Sequence, residues 1–246
     1  MTMLGELENY YNQNGILATN FTCKHKNECS KDCGEFTGPK SAFVSVGYEN
    51  GTLPRLLFLS LDSGSGNKID ENRLPLAVRE REESRDVAAL PKHKHWYRTH
   101  ELAWYLLKRF DPSLRIENVH DYFAHANSAK CCMNKAQKEK ADKILFENCR
   151  EYLKPELEIL APEIVVTQGN EAKKAILALG AHIRGIDDFA SIIKLNGKKV
   201  FWLHTYHPNN WGAFNKHRNA NKVTGVAEGW EFYAEQVFTF VNEKNT

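Results

Sequence analysis

Four short apolar runs, each ending in polar side chains and separated by stretches of helical period, constrain this chain more than any other feature. They are "RLLFLSLD" (55–62), "VHDYFAHAN" (119–127), "EIVVTQG" (163–169) and "KKVFWLHTYHP" (198–208). Near-continuous Val, Ile, Leu and Phe is the pattern of strands buried on both faces. Between them lie "THELAWYLLKRF" (99–110), capped by Thr99, "KEKADKILFENCREYLKPELEIL" (138–160), expected to kink or split at Pro155, and "NEAKKAILALG" (170–180), stopped by Gly180. Residues 4–13 and 226–243 read as further helices, whereas 71–98 shows no apolar period. Strands alternating with helices predict an α/β fold: a three-layer α/β/α sandwich on a four-stranded, mainly parallel central sheet, in one domain over residues 1–246.

In such sheets, ligands bind beyond the carboxyl ends of the strands. Three of the four predicted strand ends carry groups suited to chemistry: Asp62, followed by the glycine-rich turn "SGSGN", then Asn127 and His207. His204, three residues before His207 on an alternating strand, reads as structural.

The six cysteines fall in two clusters, Cys23, Cys29 and Cys33, then Cys131, Cys132 and Cys149. No apolar run is long enough to cross a membrane, and the acidic N-terminus lacks the pattern of an export signal, so the expected compartment is the cytoplasm. Clustered thiols there point to metal ligation or redox chemistry more than to disulfides. Together the clusters offer four thiolates for an iron–sulfur cluster or a zinc site. With a net charge of only +2, the chain is no polycation, but "LPKHKHWYRTH" (90–100) and "NKHRNANK" (215–222) are locally basic. Such stretches suit either a groove that tracks a nucleic-acid backbone or plain solvated loops.

The ordered set "LFLSLDSGSG", "HANSAKCC", "NCREYLKPELEILAPEIVVTQGNEA" and "LHTYHPNNW" resembles the uracil-DNA glycosylase superfamily, in particular its iron–sulfur branch, over roughly residues 55–215. The resemblance implies a DNA partner, a base pocket floored by Asn127, and a 4Fe–4S cluster held by Cys131 and Cys149 with two cysteines of the N-terminal loop. Cys23 and Cys29 are favoured for that pair, with Cys33 as a substitute, because C-x5-C-x3-C replaces the branch's usual Cys-x-x-Cys. Cys132 reads as a packed thiol. At the first motif the branch's glutamate position holds Leu61, and a carboxylate stands one residue later, at Asp62, where the classical enzymes carry their catalytic aspartate.

Breaking an N-glycosidic bond develops positive charge on the sugar and negative charge on the departing base. By the resemblance, Asp62 stabilises the cation and orients water, and His207 donates a hydrogen bond to the base. Ser63 and Gly64 then line the pocket, Trp96 or Tyr97 stacks on the base, Trp211 or Phe214 wedges the duplex, and Lys216 and Arg218 meet phosphates. Gly64 stands where classical uracil enzymes place a tyrosine that blocks the C5 position. The expected activity is a monofunctional DNA glycosylase that flips out a modified or damaged base, with modified cytosine of phage DNA as one substrate class. A housekeeping uracil-excising repair enzyme is the alternative. Two other classes stay open: a non-catalytic iron–sulfur nucleic-acid-binding protein, and a zinc hydrolase using His204 and His207. No obligate protein partner is evident.

Overall fold

The computed structural model describes residues 1–31, 35–64, 68–134, 142–209 and 229–244. In chain order these form helix α1 (Met3–Gln13), α2 (Lys26–Ser30), strands β1 (Glu35–Thr37) and β2 (Phe43–Val44), α3 (Val46–Asn50), β3 (Leu56–Asp62), α4 (Pro75–Glu83) and α5 (His95–Leu107). Then follow β4 (Phe123–Ala129), β5 (Cys132–Asn134), α6 (Lys143–Leu160), β6 (Ile164–Gln168), α7 (Asn170–Leu179), β7 (Ala181–Gly185), β8 (Ala190–Leu195), β9 (Lys198–Thr205) and α8 (Gly229–Lys244).

The four predicted strands are the parallel heart of the sheet, in the order β4-β3-β6-β9. The sheet itself has seven strands, because β2 adds antiparallel to β4 and the β7–β8 pair adds antiparallel beyond β9. The four-strand expectation therefore stops short at both edges. The β8–β9 hairpin turns at Asn196-Gly197, both in the left-handed region (φ 48° and 81°), the dipeptide that suits a tight hairpin. Exposed β7 has no buried face to leave a pattern.

Side-chain alternation splits the sheet into two apolar faces. One joins Phe58, Phe123, Val166 and Leu203 to Leu102 and Leu106 of α5 and to Tyr233 and Val237 of α8. The other joins Leu57, Leu59, Ala124, Val165 and Trp202 to α1, α6 and α7. This is the expected three-layer order. No helix among the described residues is long and apolar enough to cross a membrane.

Two helices depart from expectation. Helix α5 starts at His95 with Lys94 at its cap, and Thr99 lies inside it, fully buried, with its hydroxyl donating to the His95 carbonyl at 3.0 Å. The first turn carries no apolar period because it faces polar groups rather than the core. Helix α6 continues through Pro155 as one helix, so the chain does not split there. The stretch 71–98 also holds α4, whose buried side includes Glu82, clasped by Arg81 and Arg85.

One buried ion pair ties the sheet to α6. Lys130, just past β4, pairs with Glu156, which also accepts from the Tyr11 hydroxyl of α1. Lys130 and Glu156 are almost wholly enclosed, so removing one partner strands the other's charge away from water. Lys130→Met is expected to cost about 3–5 kcal/mol. The double change Lys130→Met with Glu156→Gln, which keeps an acceptor for Tyr11, should recover at least half of the loss in urea denaturation.

Candidate active site and thiol cluster

The parallel register brings β3, β4, β6 and β9 to one carboxyl edge. Ser60 lies opposite Asn127 and Asp62 opposite Ala129, so Ser60, Asp62, His125 and Asn127 share one sheet face. That face is apolar through Phe58 and Val166 and then turns polar in a single layer. Ser60 Oγ donates to Gln168 Oε1 at 2.7 Å and lies 2.8 Å from His125 Nε2. Gln168 Nε2 donates to Thr99 Oγ1 at 3.0 Å, and His95 Nε2 lies 3.1 Å from Gln168 Oε1. Ser60, Thr99, His125 and Gln168 are buried and His95 is half-buried, and the layer's internal hydrogen bonds are what make that burial tolerable.

The sequence-predicted residues surround this layer. The Asn127 amide is buried at 4% exposure and has no hydrogen-bond partner among the described residues. The Asp62 carboxylate also lacks a hydrogen bond there, and its charge acts on His207, favouring the protonated imidazole. Burial is the larger influence and holds the His207 pKa below its ordinary value. The Asn209 N–H donates to His207 Nδ1 at 3.2 Å, so the neutral ring carries its proton on Nε2. Ser63 accepts from Arg73 at 2.8 Å, and Arg73 also holds the Gly38 carbonyl at 2.6 Å, which pins the motif turn to the N-terminal segment. Gly64 adopts φ +65°, and a side chain there would meet nothing within 4 Å among the described residues. Gly169 (φ +101°) has no such freedom, since a Cβ would approach Leu61 to 3.0 Å and His207 to 3.6 Å.

His95 is the first of four residues that sequence reasoning missed. Its ring stacks on His207, with centroids 5.0 Å apart and planes within 7°. Trp96, one of the two expected stacking residues, packs against His125 at 5.1 Å and lies beneath the Arg85 guanidinium. Gln168, Ser60 and His125 were missed as well, because each looks like a routine strand residue. Lys40, half-buried, lacks a side-chain hydrogen bond among the described residues. Burial lowers its pKa to about 8, and its charge reaches His95 and His125. His204 lies on the opposite face, 3.2 Å from Thr167 Oγ1, in keeping with a structural role. Trp211, Phe214, Lys216, Arg218 and Cys33 fall outside the described residues.

Past Asn127, the chain turns to the thiols. Cys23, Cys29, Cys131 and Cys149 line one small cavity together with Phe21, Phe36 and Leu145. Burial raises the Cys149 thiol to about 11 and pushes Cys131 well up, and mutual repulsion with the other thiols adds to both. Three of the sulfurs have polar partners: Lys130 N–H donates to Cys149 and Asn148 to Cys29, both at 3.4 Å, and Cys23 lies 3.4 Å from the Tyr152 hydroxyl. Buried thiols that repel one another as thiolates fit a cationic centre between them. Among the described residues no three His, Cys, Asp or Glu side chains form a group that could hold a single metal ion. Cys132 lies outside the cavity lining, on β5, which pairs with β1 through Thr37.

The buried imidazoles set an acid limit. Burial depresses His95 to about 3 and His100 to about 4, and holds His125 well below its ordinary value. Below about pH 6.5 the unfolded chain therefore binds protons that the folded chain refuses, so stability falls as pH falls. It is complete above that pH, and three such groups imply a loss of about 4 kcal/mol per pH unit between roughly pH 5.5 and 4.5. Urea midpoints measured across this range should drop steeply from the mid-sixes downward. A flat profile to pH 5 would contradict the burial of these rings.

Comparison with curated proteins finds no match. The family profile described as "Uracil DNA glycosylase superfamily" matches residues 85–229, a span that contains His95, Asn127, Cys131, Cys149, Gln168 and His207. More than half of the chain is covered, and the matched segment supplies three of the four parallel strands and most of the polar edge. The chain belongs to the uracil-DNA glycosylase superfamily.

Proposed function

We propose that this chain is a monofunctional DNA glycosylase that hydrolyses the N-glycosidic bond of an extruded modified or damaged base and leaves an abasic site. One observation carries the reading. A carboxylate, Asp62, and a buried amide, Asn127, lack hydrogen-bond partners among the described residues on the edge that also bears His207 with its proton on Nε2. Asp62 is half-buried and neither residue is among those with a fully enclosed, unpartnered polar atom, so both groups stay open to a ligand that would take the place of water.

Each group then has a task. Asp62 stabilises the cation developing at the sugar and orients the attacking water. His207 donates from Nε2 to the oxygen of the departing base, and its lowered pKa keeps it a neutral donor near pH 7. Asn127 reads the base edge. The open space at Gly64 supports room for a substituent on the base, and modified cytosine of phage DNA is the substrate class we favour. Exposed Lys92 and Lys94, at the start of α5, suit the phosphates flanking the extruded nucleotide.

The thiol set supports a 4Fe–4S cluster held by Cys23, Cys29, Cys131 and Cys149. Such a cluster supplies a structural clamp. The residues around it fasten the N-terminal loop and α6 to the loop that follows Asn127, which fixes the pocket wall.

Asp62→Asn should retain DNA binding while its single-turnover excision rate falls at least about a hundredfold. Oligonucleotides containing uracil, cytosine or C5-modified cytosines, scored for alkali-labile sites, separate a defence enzyme from a uracil-repair enzyme. Borohydride should trap no protein–DNA adduct, and an adduct lost with Lys40→Ala would contradict the water mechanism. Anaerobically purified protein should be brown and contain iron, and Cys149→Ser should lose both. Stoichiometric zinc without iron would refute the cluster.

A further inference from the structure

The hydrogen bonds of the polar layer can be given directions without ambiguity. A carbonyl only accepts, so the Thr99 hydroxyl spends its single proton on the His95 carbonyl. The Gln168 atom facing Thr99 Oγ1 must therefore donate, and it is the amide nitrogen. The Gln168 oxygen is left to face Ser60 and His95. Ser60 gives its one proton to that oxygen, so its own oxygen accepts from His125 Nε2. His95 must likewise present a proton at Nε2 to reach the same amide oxygen. In both neutral rings Nδ1 is then a bare lone pair, and neither Nδ1 has a partner among the described residues.

The edge consequently has a fixed polarity. His207 presents a donor, while His95, stacked on His207, and His125, two residues before Asn127 on the same face, present acceptors. Asn127 offers one group of each kind. We propose that His95 and His125, locked as acceptors by Gln168, make this edge select a base bearing an exocyclic amine over the same base bearing a carbonyl at that position.

The selection presupposes that the edge receives an extruded base, as proposed above. An amine can donate to an imidazole lone pair and to the Asn127 oxygen while the base's other carbonyl accepts from His207. A carbonyl in place of the amine would set lone pair against lone pair in a site with little water. Cytosine and its C5-modified forms have the matching pattern, and uracil and its C5-modified forms do not. Gln168 touches no base in this scheme and is a positioning residue.

The test uses the full-length protein and single-stranded oligonucleotides, so that differences in base pairing drop out. Excision is compared for cytosine against uracil and for 5-hydroxymethylcytosine against 5-hydroxymethyluracil, each pair differing in one group. The amine-bearing member should be excised at least about tenfold faster. Nitrogen-15 spectra of the histidine rings should show His95 and His125 protonated at Nε2 at neutral pH. Gln168→Met should give mixed tautomers and narrow the preference, with Lys130–Glu156 packing and iron content unchanged. Equal or faster excision of the carbonyl-bearing bases would overturn the selection while leaving the glycosylase reading intact. A proton on Nδ1 of either ring would overturn it whatever the rates. Absence of excision from every oligonucleotide would remove the glycosylase reading and the selection with it.

Discussion

The hydrogen bond from Ser60 to Gln168 is where the inside of this sheet stops being hydrocarbon. Below it, Phe58 and Val166 pack with α5 and α8, and above it the same face carries Asp62, Asn127 and the approach to His207. A polar layer at that depth is tolerable only when its members satisfy one another. The layer therefore dictates its neighbours. Thr99 must sit inside α5, where its hydroxyl can bond both Gln168 and the backbone, and His95 must begin that helix, within reach of the Gln168 oxygen. The first turn of α5 is polar for the same reason.

β4 serves two sites through its alternation and its exit. His125 and Asn127 point to the polar edge, whereas Ser128, on the other face, ties β4 to the Ser60 and Leu61 carbonyls. The chain then reaches Lys130, whose N–H meets Cys149 and whose ammonium meets Glu156. The polar edge and the thiol cavity thus share a connection only a few residues long. Leu61 belongs to that connection as well, packed beside the thiol cluster and against Gly169. A one-residue step along β3 reverses the face, so Leu61 joins the apolar side while Asp62 joins the polar one.

What the sequence made legible follows from which signals are local. The parallel strands were legible because burial on both faces leaves uninterrupted apolar runs, and Asp62, Asn127 and His207 were legible because they end those runs. The β8–β9 hairpin carries its own local signal in Asn196-Gly197, the dipeptide of a tight turn. β7 had no comparable signal, being exposed along its length. Helix α4 was hidden by its Arg and Glu content, since buried Glu82 looks like a surface residue until its arginine partners are seen. His95 and Gln168 were illegible for a deeper reason: each matters only through a partner distant in sequence, and no spacing rule links residue 95 to residues 168 and 207.

The central claim is that one extruded nucleotide occupies the edge between Asn127 and His207. A crystal structure of the Asp62→Asn protein bound to DNA containing its preferred base tests this most directly. The account predicts the base out of the helical stack, with its Watson–Crick edge on the Asn127 amide and its carbonyl oxygen within hydrogen-bond distance of His207 Nε2. A base still stacked in the DNA, or seated away from both residues, would contradict it.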